Sequence, residues 1–107
     1  MKKLPKSVTI FGRKIPIKNI SSKNILKLYP DFNQAPQGLW DSGNRVIIIN
    51  SDFPIADQKY TLYHEISHCV NTFVGLDLIL DPSLQEIIVQ SFATAIEDIL
   101  KDSTNLK

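Results

Sequence analysis

The hydrophobic pattern of the chain changes from a period of two in its first half to a period near 3.6 in its second. Residues 8–11 and 15–18 alternate, or nearly so, around Gly12-Arg13, which predicts a β-hairpin; Pro16 confines its strand to a sheet edge or a bulge. Residues 21–28 predict one or two helical turns with Ile25 and Leu28 on one face, stopped before Pro30. Residues 31–38, with Pro36 and Gly38, have loop character. Leu39-Trp40, the turn Asp41-Ser42-Gly43-Asn44 and the β-branched run from Arg45 to Asn50 then predict a second hairpin, whose second strand is central.

After a connector over residues 51–56 the period lengthens. Asp57 is the predicted N-cap of a helix reaching Phe73, with Leu62, Ile66, Cys69 or Val70, and Phe73 on its buried side and Gly75 as its stop. Asp81-Pro82 predicts the start of a second helix, with a stripe of Ile88, Phe92, Ala95 and Ile99. That helix ends near Asp102, and residues 103–107 are expected to fray. Strands followed by helices predict one α+β domain over residues 1–107, a small mixed or antiparallel sheet packed on two C-terminal helices. Its parts are a lysine-rich hairpin region (1–30), strands (39–50) and two helices (57–74 and 82–102).

Composition narrows the class. The chain has 107 residues, 43% apolar and 21% charged, which suits a single globular domain with a thin core. The longest apolar run, residues 46–49, is too short to span a bilayer, and no targeting segment is evident at the start, so a cytoplasmic location and no membrane partner are the default expectations. The net charge of +1 hides a segregation: the first 30 residues carry eight basic side chains and no acid. No helix-turn-helix pattern or aromatic stacking platform accompanies those lysines, which argues against a nucleic-acid partner. One cysteine and two histidines exclude a disulfide framework, a multi-cysteine metal site and a three-histidine site.

Both histidines fall in His64-Glu65-Ile66-Ser67-His68, an H-E-x-x-H sequence inside the first long helix. Residues four apart lie one turn apart on the same face, so both imidazoles can reach one ion. Glu65, about 100 degrees around the helix, sits beside that ion and can take a proton from the water it activates. Two histidines on a helix can also be merely half-buried polar residues. A catalytic zinc usually has three protein ligands, so the third here should be a carboxylate, with Asp57, Asp77, Asp81 and Glu86 as candidates. Glu86 is favoured because an antiparallel second helix would hold it rigidly. The competing role is structural: in Ser83-Leu84-Gln85-Glu86 it could close a capping box, unless Asp81 starts the helix instead. Cys69, turned away from His68, suits packing. The metzincin pattern fails, since Asn71 and Val74 stand where its glycine and third histidine would be.

The stretch from Arg45-Val46-Ile47-Ile48-Ile49-Asn50 through Tyr60-Thr61-Leu62-Tyr63-His64-Glu65-Ile66-Ser67-His68 and Gly75-Leu76-Asp77 to Leu84-Gln85-Glu86, Val89 and Phe92-Ala93 resembles a known group. It is similar to the small, single-domain, minigluzincin-like zinc peptidase proteins common in phages and prophages, over roughly the C-terminal two-thirds of the chain. Thr61 ahead of His64, and Glu86 heading its apolar ladder, are the most specific parts. The resemblance implies a zincin-like core with zinc held by His64, His68 and Glu86 and with Glu65 as general base. It also implies that strand 46–49 is the wall along which an extended peptide lies. The expected function is a zinc-dependent metallopeptidase acting on a peptide or protein. The alternative is a zinc-stabilised module that regulates a host or phage protein without cutting it.

Overall fold

Alternation builds the first hairpin. β1 (Ser7–Ile10) and β2 (Arg13–Ile20) run antiparallel, with Val8 opposite Ile15 and Ile10 opposite Arg13. In the computed structural model, which describes residues 3–103 (the last three by their backbone alone), the turn falls at Phe11-Gly12, one residue earlier than predicted. Both turn residues have positive φ, 51° and 75°, the twist a two-residue hairpin loop requires. The tail expected to fray lies, beyond Ser103, outside the described residues.

β3 (Gly38–Asp41) and β4 (Val46–Asn50) form the second hairpin, as the sequence predicts. Arg45 belongs to the turn rather than to the strand, with φ at 55°. β4 also pairs in parallel with β2, Ile17 opposite Ile47, so the mixed sheet has the order β1-β2-β4-β3. β2 is therefore an interior strand, not the edge strand that Pro16 suggested. The Ile17 N–H donates to the Lys6 carbonyl at 2.9 Å, which makes Ser7 and Pro16 a pair without mutual hydrogen bonds. The Pro16 nitrogen faces away from β1, and the ladder to β4 begins only at Ile17, so the proline removes no bond.

All five residues of β4 are buried. Ile47 and Ile49 join Ile15, Ile17, Leu62 and Cys69 in one cluster, while Val46 and Ile48 pack on the opposite face against Ile25. Ile25 lies in α1 (Ser22–Leu28), capped by the Ser21 hydroxyl accepting the Asn24 N–H at 3.3 Å.

α2 (Ile55–Phe73) lies across β3 and β4. Its N-cap, Pro54, comes three residues earlier than predicted, and Asp57 sits in its first turn without capping it. Buried Gln58 secures that end instead. Its amide donates to the Phe53 carbonyl at 2.6 Å and its oxygen accepts from Asn19 of β2 at 2.9 Å. A 3-10 turn, Leu76–Leu78, entered through left-handed Gly75, leads to α3 (Pro82–Ser103), which packs on α2. The predicted stripe of α3 is rotated: Val89 and Ala93 are fully buried, whereas Phe92 and Ile99 are 49% and 64% exposed. No helix among the described residues is long and apolar enough to cross a membrane.

Tyr29, at the C-cap of α1, donates its hydroxyl to Asp41 at the end of β3, 2.7 Å away. That bond, with those from Asn44, holds the Asp41 carboxyl below its ordinary value; burial and Asp41 push the Tyr29 phenol up to about 12. A depressed carboxyl contributes stability above its unfolded pKa, near 4, and loses it as pH falls through the folded value. Urea-unfolding midpoints should therefore fall more steeply between roughly pH 5 and pH 2 in the native chain than in Asp41→Asn. Parallel curves would show that the bond contributes nothing.

Candidate metal centre

α2 presents three distinct faces. Thr61, Leu62, Glu65 and Cys69 are buried on the sheet side, and Ser67 and Asn71 are buried among the helices. His64 and His68 lie between, 19% and 25% exposed, their rings 5.0 Å apart and edge-on. α3 brings Glu86 to them. Its Oε1 lies 3.0 Å from His68 Nε2 and its Oε2 lies 3.6 Å from His64 Nε2. Among the described residues, His64, His68 and Glu86 are the group able to hold a metal ion, with donor atoms all within 4.8 Å of one another. Tetrahedral bonds of about 2.0–2.2 Å put donors roughly 3.3–3.6 Å apart, which the two histidine–Glu86 distances of 3.0 and 3.6 Å bracket.

The other candidate acids lie outside this group. Asp81 is the cap of α3: its carboxylate accepts the Leu84 N–H at 2.9 Å, and its carbonyl accepts the Gln85 N–H at 3.0 Å. That overturns the capping-box role for Glu86 and leaves its carboxylate free to face α2. Asp57 and Asp77 are exposed and outside the cluster. Cys69 is fully buried in the core, and burial pushes its thiol up to about 11.

Charge and burial suit ligation. Burial, then the neighbouring His68, pull the His64 pKa below its ordinary value against the opposing pull of Glu86. At neutral pH His64 is therefore an uncharged imidazole with a lone pair to give, as a metal ligand must be. Glu65 is 7% exposed and wedged between α2 and β3. Burial first, and the Glu86 carboxylate second, raise it to about 7, while the Trp40 backbone N–H donates to it and draws it down. A carboxylate with a pKa near neutrality can exchange a proton near pH 7.

Several supporting residues carry no motif. Gly38 lets β3 approach α2 closely: a Cβ there would collide with Thr61 Cγ2 and stand 3.2 Å from Glu65 Cγ and 3.3 Å from the Ile48 carbonyl. Trp40 contributes its backbone N–H to Glu65 and its indole N–H to the Thr72 hydroxyl, 2.9 Å away. Asn71, three residues beyond His68, is 1% exposed with neither amide atom hydrogen-bonded. A glycine directly before the apolar pair Leu39-Trp40 was the available signal for Gly38, the last residue of the predicted loop; a backbone donor such as Trp40 leaves none.

The expected wall strand is corrected. β4 is hydrogen-bonded on both sides, to β2 and β3, and has no edge to offer a peptide. The free edge on this side of the sheet belongs to β3. Comparison with protein-family models, with curated proteins and with solved structures finds no match.

Gly38→Ala should destabilise the fold by about 1–3 kcal/mol, as overpacking does. Thr61→Ser removes the methyl group in the way while keeping the hydroxyl, so adding it should recover part of that loss in a double-mutant cycle of urea unfolding. Additive losses would show that the contact does not set the β3–α2 spacing.

Proposed function

We propose that this chain is a zinc-dependent peptidase of minimal size. The observation that supports it is the convergence of three donors, His64, His68 and Glu86, beside a buried carboxylate held at its own backbone donor. Zinc in that site supplies a Lewis acid for the scissile carbonyl and lowers the pKa of water toward about 7. His64 and His68 offer Nε2 lone pairs from successive turns of one helix, and Glu86 completes the set from the other. Glu65 accepts the proton of the attacking water and returns it to the leaving amine. Trp40, by donating to Glu65, fixes the carboxylate's direction.

The substrate on this reading is an extended peptide laid along β3. Hydrogen-bonded pairs in the β3–β4 ladder include Gln37 with Asn50, so Gly38 and Trp40 turn their other backbone groups outward. The Trp40 N–H is taken by Glu65, leaving the groups of Gly38 and the Trp40 carbonyl for strand addition. Buried, unpaired Cys69 suits a reducing compartment, and we place the chain in the cytoplasm.

Purified protein should bind about one zinc per chain, and His64→Ala, His68→Ala or Glu86→Ala should each weaken that binding by tenfold or more in calorimetry. Glu65→Gln should retain zinc but lose about 10²–10⁴-fold in cleavage of a peptide drawn from a quenched-fluorescent library. Undiminished cleavage by Glu65→Gln would overturn the mechanism. Stoichiometric zinc with no cleavage by the native chain would favour the non-cutting binding module.

A further inference from the structure

The outward face of α3 is the largest feature that neither the core nor the proposed site accounts for. Leu84, Ile87, Phe92 and Ile99 are 43–64% exposed, with Ala95 exposed among them and Ile88 half-buried at their border. Leu78 and Ile79, in and just after the 3-10 turn packed against α3, are 86% and 75% exposed. Ten consecutive residues, from Ile87 to Ile96, carry no charge. Such a face is unusual on a monomer's surface.

We propose that α3 packs against α3 of a second copy of this chain, antiparallel, about a two-fold axis near Ser91 and Phe92. Three observations select a second copy over another partner. The centre of the face, residues 87–96, is uncharged, so two copies meet there without like-charge repulsion; exposed Asp98, near its end, falls opposite the partner's Gln85, and the chain as a whole is only +1. A charged partner would find no complement there. The order of side chains is also self-complementary when reversed. Leu84 falls opposite the partner's Ile99, Ile88 opposite the partner's Ala95, and Phe92 opposite the partner's Ser91, so each central bulky group meets a small one. Finally, the area is sufficient. Covering the exposed apolar side chains of α3 in both copies buries on the order of 1,000 Å², the least a specific interface needs. The contact is isologous and closes on itself, so it predicts a dimer and no higher assembly. It leaves Glu86 untouched, since that residue faces α2.

Sedimentation equilibrium on the full chain is the test. The native protein should sediment at twice its 12.1 kDa mass at tens of micromolar. Phe92→Asp and, separately, Ala95→Glu should shift it to monomer, raising the apparent dissociation constant by at least tenfold. Circular dichroism and zinc stoichiometry should stay unchanged, because both positions lie away from the core and the donor cluster. A native chain that remains monomeric at 200 µM overturns the proposal, and shows that the face serves a different partner or none. So does a dimer that both variants leave intact, because it must use another surface. If one variant loses its helical signal, the other still decides.

Discussion

A carboxylate is expensive to bury, and in this fold Glu65 is buried between a helix and the edge strand of a sheet. Everything near the centre is arranged around that fact. Glu65 keeps one specific partner, the Trp40 N–H, and that partner is available because it points away from β4 at the sheet's edge. For the carboxylate to reach it, α2 must lie close on β3, and Gly38 is the residue that allows the approach. The strand itself is held by β4, which pairs on both sides and buries all its side chains. The run of isoleucines thus determines where an acid can sit.

The second helix brings a different constraint. Glu86 lies four residues beyond Pro82, past the first turn of α3, so satisfying the helix start falls to another acid. Asp81 takes that task with both its side chain and its carbonyl. Division of labour between two acids, one capping and one facing the histidines, makes a helix terminus usable as part of a site. The Gln85 amide, donating to the Leu80 carbonyl at 2.9 Å, further fixes this end of α3.

Much of this was legible in the chain, and the failures have physical causes. Both hairpins, the three helices and the His64–Glu65–His68 placement follow from periodicity and turn residues. Pro16 misled because proline's missing N–H matters only where a partner strand waits for it, and none does at that position. Asp57 misled because the helix start is secured by Gln58, through carbonyls that precede it, rather than by a conventional side-chain cap. Strand 46–49 was correctly placed as central, and that centrality is what denies it a peptide-binding edge. The Trp40 donor is a backbone group and has no signature at all.

The rotated face of α3 is the most informative failure. Its bulkiest residues fall on one stripe, and burying bulk is the usual rule. A donor cluster reverses that rule locally. Glu86 and the two imidazoles have short reach, and for their atoms to meet within 3.0–3.6 Å the helix axes must approach closely. Close helices need small residues between them. Val89 and Ala93 on α3, and Ser67 on α2, are small side chains that are each nearly or fully buried. The Ser67 hydroxyl satisfies itself on the Tyr63 carbonyl of its own helix, at 2.9 Å, and so adds no polar demand to the interface. The phenylalanine and isoleucines are displaced outward by the same requirement. The geometry that gathers three donors at one point thus also gives the molecule its exposed apolar face.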